Sequence, residues 1–380
     1  MSHGRTAGGL EAGVTGAPAL DGLLTPAAIV DLDRMDANLR RMAAYAAEHG
    51  LRLRPHTKTH KSPELAAEQV RHGAAGLTVA QLHEAAVMAA ASDDILLAHP
   101  PVGAPKLARL FALPRDVHLT VAVDSTEAID GLAAAALAAR REVGVLVELD
   151  LGMHRVGVAD GAAAVRLSRR CREQDGIDWR GIMFYPGHIR EHISMQAAAI
   201  AAADAALQRV LQALSDAGLD PHVVSGGSTP AAFSSHLIRG VTEIRPGTYI
   251  FNDRITTLTG ACGWEDCAYS VLATVVSTAV PGQAVVDAGS KALFREEVRG
   301  TEAAGFGALL DRPDVVVSGM SEEHGILDTS STDWRPRVGD RVRIVPNHVC
   351  VSVNLHPSVH GVRGDRIERS WPVAARGWEP

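Results

Sequence analysis

Residues 118–150 read HLTVAVDSTEAIDGLAAAALAARREVGVLVELD, which is a short apolar run, an alanine-rich segment and a second apolar run. The two apolar runs predict buried strands, and the alanine-rich segment between them predicts a helix. A helix that connects two buried strands is typical of the parallel sheet of an α/β fold. This unit therefore predicts the fold class for the part of the chain that repeats it.

The same alternation extends from Ala28 to about Asn252. Eight or nine such repeats fit a (β/α)8 barrel of the TIM type better than an open nucleotide-binding sheet, because no G-x-G-x-x-G motif follows the first strand. The further strand candidates are AAIVDL at 27–32, LRLRP at 51–55, GLTVA at 76–80, DILLAH at 94–99, GIMFY at 181–185, HVVSGG at 222–227 and EIRPGTYIF at 243–251.

After Asn252 the helical segments stop, and turns such as Pro281-Gly282 separate the remaining apolar runs. This pattern predicts an all-β C-terminal domain. The predicted division is an N-terminal arm at 1–25, a barrel at 26–254 and a β-rich domain at 255–380. The strands expected in the last domain lie at 269–280, 283–287, 314–319 and 340–354.

Composition excludes several classes of partner. The net charge is −7 and no long basic run is present, which argues against a nucleic-acid partner. Residues 1–26 lack the features of a secretory signal, and charges interrupt the alanine-rich segments before the ~20 residues needed to cross a bilayer. We expect a cytoplasmic protein with no membrane contact. Four cysteines are too few for a disulfide scaffold: Cys171, Cys262, Cys267 and Cys350.

Residues 54–61, RPHTKTHK, place two lysines and two histidines directly after the apolar Leu51 and Leu53. A lysine at the end of a buried strand suggests Schiff-base chemistry, because cationic neighbours and partial burial lower the pKa of its amine toward the neutral, imine-forming state. From these residues alone, either Lys58 or Lys61 is the candidate. A solvated basic loop is the alternative interpretation.

Polar residues follow several strands, where a barrel of this kind carries its chemistry. Residues 225–229, SGGST, open a short predicted helix, so their amides, hydroxyls and the positive helix end can bind an anion such as a phosphate. A phosphate site and an imine-forming lysine in a barrel without a nucleotide motif point to pyridoxal 5′-phosphate. Other polar groups after strands include Arg155, Tyr185, His188 and the segment at 245–249.

The alternating segment at 345–351 would place His348 and Cys350 on one face of a strand. An imidazole beside a thiolate suits Zn²⁺ and leaves positions open for water or substrate, whereas two core residues are the alternative interpretation. The polar run at 321–325, SEEHG, is a candidate source of carboxylates that support the ligands. Cys262 and Cys267 are expected to be unlinked thiols, because no second Cys or His pair follows nearby.

These motifs together resemble the fold-type III pyridoxal-phosphate enzymes, in particular the D-threonine aldolase and D-serine dehydratase group related to alanine racemase. The resemblance covers the chain from about Thr25 to its end. It rests on the runs at 54–61, 152–157, 225–230, 245–249, 287–291, 321–325 and 346–350, and on Tyr185 with Gly187-His188.

The resemblance implies that Lys58 carries the cofactor as a Schiff base, that Arg155 lies near its phenolic oxygen and that Tyr185 belongs to the cofactor site. It identifies His348 and Cys350 as a metal pair, for zinc or alternatively manganese. It also implies a homodimer, with the β domain of one subunit near the barrel mouth of the other. The residues implied to hold the phosphate are Gly226, Gly227, Ser228, Thr229, Gly247 and Tyr249.

The implied function is a lyase that acts on D-β-hydroxy amino acids, with Lys58 as the base for the α-proton. Dehydration of a D-serine-type substrate to a keto acid and ammonia is favoured, because related aldolases tend to carry an aspartate at the position of Cys350. In the aldolase alternative, which yields glycine and an aldehyde, His188 or His56 would take the β-hydroxyl proton. More distant alternatives are a non-catalytic cofactor-binding protein and a racemase. The sequence leaves open the substrate side chain and the roles of His60 and Lys61.

Overall fold

The structure, a computed structural model, describes residues 19–298 and 305–377, so most of the predicted arm at 1–25 lies outside the described residues. The strands are β1 Ala27–Asp31, β2 Arg52–Leu53, β3 Leu77–Val79, β4 Asp94–Leu97, β5 His118–Val123, β6 Val143–Leu149, β7 Ile177–Phe184, β8 Val223–Gly226, β9 Glu243–Ile244, β10 Tyr269–Ser277, β11 Gln283–Val286, β12 Gly307–Leu309, β13 Val317–Met320, β14 Gly325–Asp328, β15 Arg341–Pro346, β16 Ser358–Arg363 and β17 Arg366–Pro372. The α-helices are α1 Leu32–Glu48, α2 Pro63–Arg71, α3 Leu82–Met88, α4 Ala104–Phe111, α5 Thr126–Ala139, α6 Gly161–Arg172, α7 Ala197–Asp216, α8 Arg254–Leu258, α9 Ser290–Leu293 and α10 Val349–Val353.

Strands β2 to β9 form a parallel sheet in the order β2-β9-β8-β7-β6-β5-β4-β3. A parallel bridge between His56 and Thr78 joins the two ends of this sheet, and the backbone N–H of Ala75 donates to the carbonyl of Leu53 beside it (2.8 Å). Every residue of β6 is buried, as expected for a strand that is covered on both faces. The predicted (β/α)8 barrel is thereby confirmed.

The first strand belongs to the other sheet. Strand β1 pairs antiparallel with β10 and parallel with β16, in a sheet ordered β13-β14-β11-β10-β1-β16-β17 to which β15 and β12 also pair. The prediction that AAIVDL opens the barrel is therefore wrong, since an apolar run indicates burial in a sheet without indicating which sheet. Helix α1 follows at once, with the Asp31 carboxylate accepting hydrogen bonds from the N–H groups of Asp33 and Arg34.

Two predicted strands end early because the chain turns into a helix. Strand β9 ends at Ile244, because Pro246 lacks the N–H that a ladder needs, and Thr248–Ile250 forms a 3₁₀ helix. The segment predicted as one strand at 340–354 is β15 followed by α10. His348 and Cys350 therefore do not share a strand face.

One apolar core joins the barrel to the β sheet. It includes Met42 of α1, Ile244 of β9, Phe251, Tyr269 of β10 and Ile344 of β15, all buried. The β sheet is consequently fixed against one side of the barrel, next to the carboxyl ends of its strands. Within 19–298 and 305–377, no helix has the length and apolar character required to span a bilayer.

Candidate active site

The two lysines of the 54–61 segment have different surroundings. Lys58 lies in the 3₁₀ helix Thr57–Thr59 and lines a cavity between the barrel and the β sheet. The Nζ of Lys61 lies 2.8 Å from Asn354 Oδ1 and 3.5 Å from Glu84 Oε1. Lys61 thus ties the barrel to the C-terminal part of the chain, and Lys58 is the candidate for chemistry.

The alternative of a solvated basic loop is wrong. Arg54 is buried and forms ion pairs with Asp94 and Glu243, at 2.8 Å each. His60 is also buried, and its Nε2 lies 3.1 Å from Gln69 Oε1. Burial lowers the pKa of His60 to about 4, so this imidazole is a neutral, hydrogen-bonded core residue.

The cavity brings together most of the residues predicted from the sequence, from both parts of the fold. It is lined by His56, Lys58, Arg155, Tyr185, Ser228, Thr229, Gly247, His348 and Cys350. Four predicted residues are not part of this lining: His188, Gly226, Gly227 and Tyr249.

These residues have other positions, and Gly227 adopts the positive φ (+86°) that favours glycine. The hydroxyl of Tyr249 accepts a hydrogen bond from Gln69 Nε2 (3.2 Å), in the buried network of His60. A Cβ on Gly226 would lie 2.4 Å from the Phe184 ring, so this glycine allows the close packing of β8 on β7. His188 packs behind Gly152, and its buried Nδ1 has no hydrogen-bond partner among the described residues.

Polar groups converge at the end of the cavity formed by Ser228 and Gly247. The Ser228 Oγ is buried and has no hydrogen-bond partner within the described part of the chain. The Thr229 Oγ1 accepts from the N–H groups of Gly247 (3.2 Å) and Thr248 (3.1 Å). A Cβ at Gly247 would lie 2.8 Å from Thr59 Oγ1, so only glycine fits here. The unpaired Ser228 hydroxyl, together with the Thr229 hydroxyl that accepts from two N–H groups and can itself still donate, suits an anion such as a phosphate.

Aromatic and cationic groups surround the middle of the cavity. The Arg155 Cζ lies 5.2 Å from the ring centroid of Tyr185, and the Lys58 Nζ lies 5.8 Å from the same centroid. His56 also lines this region, and burial together with the charges of Lys58 and Arg245 holds its pKa well below the ordinary value. His56 is therefore a neutral imidazole that resists protonation, and its Nδ1 accepts from the backbone N–H of Lys58 (3.4 Å).

Arg245 and Glu148 are among the charged cavity residues to which sequence reasoning gave no role. Arg245 is buried and donates to Ser225 Oγ (2.6 Å) and to the Phe184 carbonyl (2.8 Å). Glu148 is buried on β6, and burial raises its pKa although Arg245 and Arg155 act in the opposite direction. Arg245 belongs to the 245–249 segment that the sequence analysis noted. Glu148 could have been noticed only as a charged residue within an apolar strand.

His348 and Cys350 meet at the start of α10 rather than along a strand. The carboxylate of Asp253, which is fully buried, accepts from His348 Nδ1 (2.9 Å) and from the N–H of Val349 (3.0 Å). Because Nδ1 is bonded to Asp253, Nε2 is the nitrogen of His348 that a metal could bind, an arrangement common at zinc sites. The Cys350 Sγ lies 3.2 Å from Thr59 Oγ1.

His348 and Cys350 each stabilise the charged form of the other side chain. Burial disfavours the thiolate of Cys350, but His348 and Lys58 bring the pKa of this thiol below its ordinary value. Burial likewise disfavours protonated His348, yet Cys350 and Asp253 raise the pKa of this imidazole well above its ordinary value. Thiolate character at Cys350 suits a soft divalent metal.

Within 19–298 and 305–377, His348 and Cys350 are the two candidate metal ligands at this position. The described residues contain no group of three or more His, Cys, Asp or Glu side chains that could hold a metal ion. The run at 321–325 does not line the cavity, and Glu323 instead pairs with Lys291 (2.6 Å). The supporting carboxylate is Asp253, which the sequence analysis did not single out.

The fold is a closed barrel joined to a β sheet. Its cavity contains a lysine, an anion-binding end and a histidine–cysteine pair, and this combination is typical of cofactor-dependent barrel proteins. Residues 30–254 match the family described as alanine racemase, N-terminal domain, and residues 268–362 match the putative serine dehydratase domain. The chain belongs to the alanine racemase N-terminal domain family, which confirms the resemblance to fold-type III pyridoxal-phosphate enzymes.

Relatives match over most of their length. The chain is 37% identical to D-threo-3-hydroxyaspartate dehydratase of Delftia sp. (strain HT23), with 93% of this chain and 98% of the relative covered. It is 33% identical to D-threonine aldolase of Arthrobacter sp, with 93% of each covered. A cysteine-to-alanine mutant of D-threo-3-hydroxyaspartate dehydratase, solved in the metal-free form, has a TM-score of 0.87 at 35% identity and covers 95% of this chain and 100% of that one.

Proposed function

We propose that the protein is a pyridoxal-phosphate- and divalent-metal-dependent lyase that acts on D-β-hydroxy amino acids, with dehydration as the favoured reaction. The observation that carries this proposal is one cavity lined by Lys58 from the barrel and by His348 and Cys350 from the β-sheet side. The relatives named as a dehydratase and an aldolase support the lyase class.

The residues present fit pyridoxal phosphate. Lys58 would bind its aldehyde carbon, while Ser228, Thr229 and Gly247 would hold its phosphate. When bound, the cofactor supplies an electron sink for the charge released at the substrate α-carbon. The unpaired hydroxyl of Ser228 is the donor that a phosphate oxygen would satisfy. Tyr249 is not part of this proposal, because its hydroxyl is bonded to Gln69.

The remaining polar groups of the cavity would balance charge, transfer protons and bind the metal. Arg155 and Arg245 put two guanidinium groups on the cavity wall, where they can balance the anionic oxygens of cofactor and substrate. Lys58 would remove the α-proton with its free amine, and His56 lines the same cavity as a neutral imidazole. His348 Nε2 and Cys350 Sγ would hold zinc, or alternatively manganese, which supplies a Lewis acid for the β-oxygen.

Dehydration is favoured over aldol cleavage by Cys350, because related aldolases tend to carry aspartate there. The two reactions give different products from the same cavity. We expect D-serine to yield pyruvate and ammonia in the presence of Zn²⁺, as measured by coupled assays for both products. Glycine and acetaldehyde from D-threonine, without 2-oxobutyrate, would instead establish aldol cleavage. Absence of turnover with D-serine and D-threonine together would contradict the lyase proposal for these substrates.

Replacing Asp253 by asparagine should weaken metal binding by about 10- to 100-fold, because the carboxylate that orients His348 is lost. Asparagine remains a good helix cap, so the hydrogen bond to the N–H of Thr256 can persist and α8 should keep its stability. Asp160→Asn, at the cap of α6, is the matched control. Metal titration and thermal melting of both variants separate the two effects, and equal metal affinity in D253N and wild type would refute this role of Asp253.

The homodimer and the cytoplasmic location remain predictions from the resemblance and the composition.

A further inference from the structure

The cavity wall beside the metal pair is formed by α8 and by residues 296–298, and Asn347 anchors both. The N–H of Ile255 donates to the carbonyl of Asn347 (3.1 Å), and the Nδ2 of Asn347 donates to the carbonyl of Glu296 (2.7 Å). Because His348 follows Asn347 directly, these two segments lie next to His348. They are therefore the nearest walls for a substrate group bound at the pair.

Three apolar side chains of this wall line the cavity, together with Thr256 and Thr259. Ile255 and Leu258 are three residues apart on α8, so they share one face of the helix, and both line the cavity. Val298 adds a third apolar side chain. The cationic Arg254 of the same helix is not part of the cavity lining and donates to Asn347 Oδ1 (3.0 Å).

The outer edge of the same wall is acidic. Glu296 and Glu297 both line the cavity, and Glu297 is exposed. Arg190 also lines the cavity, but its Nε donates to the carbonyl of Gly187 (2.6 Å). The other cations of the cavity, Lys58, Arg155 and Arg245, are the ones proposed to serve the cofactor. A carboxylate on the substrate β-carbon would meet apolar side chains and two negative charges here.

We propose that this wall selects D-β-hydroxy amino acids whose second β-substituent is uncharged, such as D-serine or D-threonine, over D-threo-3-hydroxyaspartate. The inference rests on the proposed function, because His348 and Cys350 would hold the metal that binds the β-oxygen, and the second β-substituent would then lie near α8. Specificity here comes from rejecting the anionic substrate as well as from accommodating the methyl group of D-threonine.

The test compares kcat/KM for D-serine, D-threonine and D-threo-3-hydroxyaspartate on the enzyme loaded with pyridoxal phosphate and Zn²⁺. We expect the better uncharged substrate to exceed 3-hydroxyaspartate by about tenfold or more. A preference for 3-hydroxyaspartate would overturn the inference and leave the proposed function intact. Absence of turnover with all three would contradict the proposed function itself.

Binding without turnover gives a second measurement. D-Aspartate and D-2-aminobutyrate lack the β-hydroxyl, so their dissociation constants can be read from the change in cofactor absorbance. D-2-Aminobutyrate should bind more tightly than D-aspartate, and the reverse order would count against the selective wall.

The double variant Glu296→Gln/Glu297→Gln identifies the responsible charges. We expect its kcat/KM ratio for 3-hydroxyaspartate over D-threonine to rise by about three- to tenfold, as for a unit charge acting across a partly solvated cavity. The control is Glu322→Gln/Glu323→Gln, which removes two exposed acidic groups of the same β-rich region outside the cavity. An unchanged ratio in the first variant, or an equal rise in the control, would refute the assignment.

Discussion

Replacing Lys58 by alanine is expected to abolish turnover, by at least about a thousandfold, together with the visible absorbance of bound pyridoxal phosphate. Both losses follow from one group, because the same amine would bind the cofactor and remove the α-proton. The measurement is an absorbance spectrum of the purified variant after addition of cofactor, followed by the D-serine assay.

Lys61→Ala is the matched control for this experiment. Lys61 is three residues away, but its amine contacts Asn354 and Glu84 instead of the cavity. We expect this variant to keep the absorbance and to lose about 1–3 kcal/mol in free energy of unfolding, because Glu84 is buried. Retained absorbance and activity in K58A, or loss of absorbance in K61A alone, would show that the lysine was wrongly chosen.

Removing the metal pair should give the second large effect. His348→Ala and Cys350→Ser, like chelation of the wild type, are expected to lower turnover by at least about a hundredfold, since the departing or reacting β-oxygen loses its Lewis acid. The cofactor should remain bound, because Lys58 and the cradle at Ser228 are unchanged. Absorbance spectra, metal analysis and turnover of the same samples check all three expectations.

Cys262→Ala is the control for the thiol, because Cys262 is half-buried and does not line the cavity. It should bind as much metal as the wild type and retain turnover. If a metal-free preparation were fully active, or if C350S kept its metal and activity, the role of the pair would be disproved.

The fold was predictable where burial on both faces leaves a signal in the sequence. Strands such as β6 are continuous apolar runs because helices cover the outer face of the barrel sheet and side chains of other strands cover the inner face. The alanine-rich segments between strands mark those helices. The place of β1 was not predictable, because Ala27–Asp31 pairs with β10 and β16, which are far away in the sequence. Long-range pairing of this kind leaves no local pattern.

The sequence motifs predicted many residues of the candidate site, but they did not predict how these residues are arranged. The spacing His348-x-Cys350 correctly suggested neighbouring side chains, but for the wrong reason, since the chain turns into α10 after Pro346. Asp253 could not be found, because its importance comes from contact with His348 across 95 residues. The choice of Lys58 over Lys61 needed either the resemblance or the contacts of Lys61 with Asn354 and Glu84.

The most direct test of the central claim is to locate the cofactor on the chain. The chain contains four lysines, Lys58, Lys61, Lys106 and Lys291, so reduction of the pyridoxal-phosphate complex with borohydride and peptide mass mapping can distinguish them. We predict a single phosphopyridoxyl adduct on Lys58. An adduct on Lys61, Lys106 or Lys291 in its place, or no adduct at all, would contradict the account.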